Sequence, residues 1–290
     1  MAKTVLITGA NGQLGNEMRL VLDGNDAFSP IFTDVQELDI TSKEAIDAFF
    51  ANHHIDYVVN CAAYTAVDNA EDNVELCTRL NADAVEYLAQ AAKHHGAKMV
   101  QISTDYVFNG TNFRPYREDD ETSPCSVYGS TKLDGERRLL QCLPDAVIFR
   151  TAWLYSPFGK NFVKTMLNLG RTKETLSVIF DQVGTPTYAK DLALASNCSF
   201  SAKRSFIVTL YFLSCPEKFS IWGNHFFSME RASSFFFPAL NGVMPSSVAS
   251  IALACLERLT ACLNSRVGIC FLPVLLALSP RSKSGYFSTI

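Results

Sequence analysis

The sequence predicts an α/β fold built on a doubly wound parallel sheet, and three observations carry that prediction. Apolar, strand-like runs alternate with amphipathic, helix-like runs from residue 4 to residue 151, the rhythm of βαβ units. The first strand-like run opens directly into a glycine turn, Thr8-Gly9-Ala10-Asn11-Gly12-Gln13-Leu14-Gly15. Several polar blocks then fall just after strands, at the carboxyl edge where such sheets bind ligands.

The elements follow in order. Residues 4–8 read as a strand, and residues 12–22 as a helix with Leu14, Met18 and Leu22 on one stripe. Residues 29–33 read as a second strand, and residues 43–53 as a helix capped by Thr41 or Ser42. A strand at 57–60 leads to a long helical region at 74–95 that ends near Gly96. Residues 98–103 form a strand, 127–142 a helix and 146–151 a further strand.

Composition limits the classes of function. At 290 residues and 48% hydrophobic, the chain can build one α/β domain, alone or with a smaller lobe. No basic, apolar, small-residue leader opens the sequence, and no apolar run reaches the roughly 20 residues of a membrane span. Nine cysteines show no close-paired zinc spacing, and their odd number argues against a complete disulfide framework. His53-His54 and His94-His95 sit near predicted helix ends, where solvated or capping roles suit them and no metal is called for. These features indicate a reducing, cytoplasmic setting without a membrane partner, and a net charge of −4 excludes a nucleic-acid role.

Two motifs carry chemistry. A glycine turn between strand and helix brings backbone N–H groups and a helix N-terminus up to a phosphate, as in dinucleotide-binding folds. Tyr128 and Lys132 stand four residues apart, hence on one helix face, and a cation beside a phenol favours proton transfer near neutral pH. Together they point to an oxidoreductase acting on a carbonyl or an alcohol. Thr104 follows a strand, where its hydroxyl either stabilises charge on a substrate oxygen or satisfies strand-end backbone groups.

Thr8-Gly9-x-x-Gly12-x-x-Gly15 has the spacing of the extended short-chain dehydrogenase/reductases, whose fold is Rossmann-type. Within them the chain resembles the dTDP-4-dehydrorhamnose reductase family in six ordered blocks. These are Gly9-Ala-Asn-Gly-Gln-Leu-Gly15, Asn60-Cys-Ala-Ala-Tyr-Thr-Ala-Val-Asp68 and Ser103-Thr-Asp-Tyr-Val-Phe108, then Tyr128-Gly-x-x-Lys132, Arg150-Thr-Ala-Trp-Leu-Tyr155 and Asp181-Gln-x-Gly-x-Pro-Thr187. The resemblance implies reduction of the 4-keto group of dTDP-6-deoxy-L-lyxo-4-hexulose to dTDP-L-rhamnose. It implies that Tyr128 is the general acid, that Lys132 orients the cofactor and tunes Tyr128, and that Thr104 polarises the carbonyl.

The same resemblance sets Asp105 close to the substrate and Trp153 against its base or sugar, a lone tryptophan being otherwise core. Gly9, Asn11, Gly12, Gln13 and Leu14 would face the cofactor pyrophosphate, and Asp39 and Ile40 its adenine side. Ala62, Ala63 and Tyr64 would lie beneath it. Asp34 falls 19 residues after Gly15, where an acidic residue binds ribose hydroxyls and favours NADH. NADPH and NADH both remain open, and the family leaves room for a homodimer.

The resemblance covers residues 1–195, taken as the cofactor-binding domain with the catalytic residues. That part holds 17 Lys+Arg against 26 Asp+Glu, a net of −9, whereas residues 196–290 hold 8 against 3, a net of +5. The tail also carries 17 serines and 11 of the 21 phenylalanines, including Phe235-Phe236-Phe237. Such a break marks a boundary. An amphipathic helix at 248–263 is the one element its pattern predicts. Two readings compete for the tail: an altered reading frame or replaced C-terminus in place of a substrate lobe, and a divergent but genuine lobe.

Overall fold

In the computed structural model the described residues are 2–112, 114–178, 184–200 and 206–209. Asp181, Gln182, Phe235-Phe236-Phe237 and the helix expected at 248–263 lie outside them. The chain divides into two compact units, Met1–Gly159 with Pro186–Pro216, and Lys160–Thr185 with Glu217–Ile290.

The first unit is a six-stranded parallel sheet. Its strands are β1 (Lys3–Thr8), β2 (Phe28–Phe32), β3 (Tyr57–Asn60), β4 (Lys98–Thr104), β5 (Val147–Thr151) and a last strand, Phe206–Thr209. A two-residue pair, β6 (Leu154–Tyr155) with β7 (Thr187–Tyr188), precedes that last strand in the chain, which makes it β8. The order across the sheet is β2-β1-β3-β4-β5-β8. The chain steps from β1 to β2 on one side and then crosses to β3 on the other. The crevice beyond the carboxyl ends of β1 and β3 is therefore the topological switch point, where open parallel sheets bind ligands.

Strand alternation explains why helices cover both faces. Leu6, Val58, Met99 and Ile148 point to one face and pack with Ile46 and Phe50 of α2 (Lys43–Asn52) and Leu88 of α5 (Ala84–His95). Val5, Ile7, Val59, Val100 and Phe149 point to the other, against Met18 of α1 (Gln13–Leu22) and Leu192 of α8 (Ala189–Ser199). Successive strand side chains face opposite ways, so near-continuous apolar strands require two helical layers.

The expected helix starts are real caps. Ser42 Oγ accepts from Ala45 N–H at 3.2 Å, and Gly96 ends α5 at φ +72°, a conformation that costs glycine little. The long helical region expected at 74–95 is not uniform. After α3 (Val67–Ala70) it runs as α4 (Val74–Thr78), a π-helical turn at Arg79–Asp83, then α5. The boundary read at Ala195 falls inside α8, and β8 joins the sheet from beyond it. In the second unit, α7 (Phe162–Thr172) is capped by Asn161, whose Oδ1 accepts from Lys164 N–H at 3.0 Å.

The packing of α1 on α8 buries acidic groups. Glu17 is 1% exposed, and its Oε1 has no hydrogen-bond partner among the described residues. Burial pushes the Asp191 carboxyl up to about 6, against the pull of Lys190 and with help from Glu17. Its pKa is thus above the unfolded value of 3.8, so the native state binds more protons between these values and loses stability as pH rises through them. Asp191→Asn removes that penalty. By calorimetry the variant melts above the parent at pH 7.5, and the gap closes below about pH 4.

Candidate functional site

Side-chain hydrogen bonds cross the three central strands near the switch point. Thr8 Oγ1 donates to Asn60 Oδ1 at 2.6 Å, and Asn60 Nδ2 donates to Gln101 Oε1 at 2.8 Å. All three are at most 2% exposed, and they cross β1, β3 and β4 at paired register positions. β1 and β3 end at this level, and β4 runs on to Thr104.

The first turn is shaped by glycine. Gly9 has φ +61°, and a Cβ there would stand 2.7 Å from Ala62 N, so the turn lies flat against the segment after β3. Gly15 lets α1 close on the turn, since its Cβ would stand 2.5 Å from Ala10 Cα. Gly12 is the N-cap of α1, and no side chain caps that end. An uncapped helix start carries N–H groups and a partial positive charge. Asn11 and Gly12 are exposed, whereas the Leu14 side chain is core, which leaves its backbone to face the turn. Asp34 closes the far side, its Oδ2 accepting from Asn11 N–H at 3.0 Å.

The remaining expected cofactor contacts divide. Ala62, Ala63 and Tyr64 are half-buried after β3, and Tyr64 packs with Tyr128. Asp39 is exposed with Oδ1 taken by the Thr41 N–H at 2.9 Å and hydroxyl at 2.7 Å. Those bonds hold its carboxyl below the usual range. Ile40 is buried in the core beside α2.

The second motif lies on α6 (Val127–Cys142), capped by Ser126 Oγ accepting from Gly129 N–H at 3.1 Å. Gly129 lets this first turn touch the 3-10 turn Asp105–Val107 after β4, because a Cβ would overlap the Tyr106 carbonyl oxygen. Tyr128, Thr104 and Asp105 meet there. Thr104 is hydrogen-bonded to the Tyr128 phenol and donates to Asp105 Oδ1 at 3.1 Å. The Tyr106 and Tyr128 rings meet edge-on at 5.5 Å.

The electrostatics differ from the sequence expectation in one respect. Burial pushes the Tyr128 phenol up to about 12; the Thr104 bond opposes this, and Asp105 adds to it. Lys132 does not pull the phenol down. Lys132 is 4% exposed and its ammonium donates to the Ile102 carbonyl at 2.6 Å, while burial lowers its own pKa to about 8. At neutral pH the arrangement therefore holds a proton on Tyr128, ready to donate, with a cation one helical turn away.

Trp153 follows β5 with φ +50°, the one described non-glycine residue in the left-handed region. Thr187 N–H donates to the Ala152 and Trp153 carbonyls at 3.1 and 3.3 Å. This costs about 1–3 kcal/mol of backbone strain and persists only where the surroundings impose it.

Asn81 is the residue that the motifs miss. It sits in the π-helical turn, 1% exposed. Its Oδ1 accepts from Tyr64 N–H at 2.9 Å, and its Nδ2 reaches the Tyr64 carbonyl at 3.2 Å and Thr131 Oγ1 at 3.3 Å. It thus ties the segment after β3 to α6. A polar residue at helical spacing between Cys77 and Val85, on the buried stripe, was the available signal. Among the described residues no group of three or more His, Cys, Asp or Glu could hold a metal ion, and no helix is long and apolar enough to cross a membrane.

The profile described as RmlD substrate binding domain matches residues 3–230. The chain is 42% identical over 189 residues to a dTDP-4-dehydrorhamnose reductase of Aggregatibacter actinomycetemcomitans, covering 65% of this chain and 64% of that one. To the reductase of that name from Streptomyces griseus it is 47% identical, covering 65% and 62%. The chain thus spans somewhat less than two thirds of the length of these relatives. Among solved structures, the dTDP-4-dehydrorhamnose reductase of Clostridium acetobutylicum superposes with a TM-score of 0.70 at 47% identity, over 73% of this chain and 75% of that one. That of Bacillus anthracis, in complex with NADP, gives 0.71 at 36% identity, over 74% and 76%.

Gly9→Ala adds both a strained φ and an overlap with backbone that cannot swing away. It is expected to destabilise the protein by about 1–3 kcal/mol, read from the urea midpoint.

Proposed function

The chain belongs to the RmlD substrate binding domain family, and from that premise we propose that it reduces a nucleotide-linked 4-keto-6-deoxy sugar with NADPH or NADH. The substrate is dTDP-6-deoxy-L-lyxo-4-hexulose and the product dTDP-L-rhamnose, made in the cytoplasm for polysaccharide. The observation that carries the reading is that Tyr128 and Thr104 meet, and Lys132 is held, at the carboxyl end of β4, in the sheet whose β1 opens into the glycine turn.

The residues fit a dinucleotide. Gly9 and Gly15 let the turn close on the segment after β3 and on the start of α1, where a Cβ would meet backbone, and the uncapped start of α1 offers N–H groups to a pyrophosphate. Gly9, Asn11, Gly12, Gln13 and Leu14 hold that end, Asp39 and Ile40 flank the adenine side, and Ala62, Ala63 and Tyr64 form the floor. When bound, the nicotinamide supplies the hydride.

The chain's own groups manage the proton and the charge. As the carbonyl oxygen gains electrons, Tyr128 donates its proton there, which its high pKa keeps available at neutral pH. Thr104 hydrogen-bonds the same oxygen and steadies the growing charge. Lys132, still largely protonated below its pKa of about 8, orients the ribose hydroxyls. Asp105 lines the sugar, and Trp153 stacks on the base or the sugar.

Asp34 discriminates between cofactors. Its carboxylate, beside the Asn11 N–H at the end of β2, would bond two ribose hydroxyls and repel a phosphate in their place. Asp34→Ala is expected to raise the preference for NADPH over NADH by roughly tenfold or more, read from the two kcat/KM values.

A second reading rests on the change of composition at residue 196. A chain with a replaced C-terminus would bind cofactor without turning over a sugar, as a regulatory subunit or a damaged enzyme. Turnover separates the two readings. NADPH oxidation by the full 290-residue chain with the keto sugar is expected, falling by about 10²–10⁴ in Tyr128→Phe. Cofactor binding without oxidation would favour the second reading. A family-like C-terminus in a neighbouring frame of the encoding DNA would identify the tail as frame-altered.

A further inference from the structure

Arg150 on β5 and Glu136 on α6 are 3% and 2% exposed. Arg150 Nε donates to Glu136 Oε1 at 3.0 Å, and Nη2 donates to Oε2 at 2.7 Å. Neither residue belongs to the set that would touch substrate or cofactor. A buried ion pair is a weak source of stability, because removing two charges from water offsets most of their attraction. Its placement suggests another role.

Glu136 follows Lys132 by four residues and Tyr128 by eight, so the three share one face of α6. Lys132 ties that face to β4 through the Ile102 carbonyl at 2.6 Å. One turn later, Glu136 ties it to β5 through Arg150, which stands opposite Ser103 in the β4–β5 register. The remaining Nη1 of Arg150 donates to the Glu118 carbonyl at 3.3 Å, and the guanidinium lies 5.1 Å from the Phe108 ring centroid. Arg150 therefore also holds the segment joining β4 to α6, whose two ends carry Thr104 and Tyr128.

We propose that the Glu136–Arg150 pair is a positioning device for the reaction, which keeps the Lys132 ammonium charged inside the protein and seats α6 against the ends of β4 and β5. The proposal rests on the reductase reading above. Arg150 acts first, its guanidinium bonding both oxygens of the buried Glu136 side chain. Glu136 then favours the charged form of Lys132.

The groups around α6 agree with this assignment. Glu136 is the foremost group raising the Lys132 pKa against burial, and Cys77 of α4 adds to it. Asp83 of the π-helical turn and Glu86 of α5 are engaged by Arg138, as is Asp134 of α6 itself. Glu71 accepts from Val127 N–H at the start of α6. Asp105 and Tyr106 act on Tyr128, and Asp68 of α3 acts on Tyr106.

The test is Glu136→Gln in the full chain, read two ways. Carbon-13 NMR of lysine Cε follows the Lys132 titration without turnover, its signal assigned by loss in Lys132→Arg. NADPH oxidation with the keto sugar follows the high-pH limb of kcat/KM. The midpoint is expected to drop from about 8 in the parent by about one unit or more, with the limb moving alongside. At pH 8 the variant then loses about fivefold or more in kcat/KM, and at pH 6 much less.

If Glu136→Gln does not fold, Glu136→Met/Arg150→Met removes both charges together and carries the same expectation. A folded variant whose Lys132 midpoint stays in place overturns the proposal. So does a midpoint that moves while the kcat/KM limb does not. A parent that does not reduce the sugar fails the reductase reading instead, and the NMR titration still decides whether the pair sets the charge of Lys132.

Discussion

The buried hydrogen bonds linking Thr8, Asn60 and Gln101 lock the three central strands in register. Each contributes a net 0.5–1.5 kcal/mol or so, but a partner left unpaired in the interior costs about 1–3 kcal/mol. A strand slipped by one residue would orphan several of these groups and turn its apolar side chains to the wrong helical layer. The register is thus fixed twice, by hydrophobic alternation and by polar pairing. The glycine turn and the segment after β3 start from that register, and the Thr104 turn follows further along β4.

Burial is the main electrostatic agent in the site. It lifts Tyr128, lowers Lys132 and lifts Asp191, and in each case neighbouring charges only modify the result. The direction suits donation by Tyr128, which stays protonated at neutral pH without help from a lysine. It is less favourable for Lys132, whose charge needs support from its surroundings. The polar groups that brace this region, Asn81, Glu136 and Arg150, act by tying the segment after β3 to α6 and α6 to the sheet. None of them stands in the two motifs.

Much of the site could be read from the chain because its chemistry is local. A glycine turn between strand and helix needs only neighbouring residues, and Tyr128 and Lys132 share a face by helical periodicity alone. Ser42 and Gly96 mark helix ends for the same reason. Asn81 was hidden because its partners, Tyr64 and Thr131, are 17 and 50 residues away. The π-helical turn that carries it changes the face pattern of a run that otherwise reads as one helix. The strained backbone of Trp153 was hidden as well, since it is imposed by bonds to Thr187 across another part of the chain.

The sequence by itself determined the layer architecture, five of the six strands and the two motifs, because alternation and helical period are properties of short segments. Tertiary structure alone decided that β8 completes the sheet from beyond residue 195, which four residues could not announce without a partner strand. It also decided the direction in which Tyr128 and Lys132 titrate. Two side chains four residues apart suggest mutual influence. Their desolvation, and the carbonyl to which the ammonium turns, depend on strands and helices distant in sequence, and these outweigh the pairing.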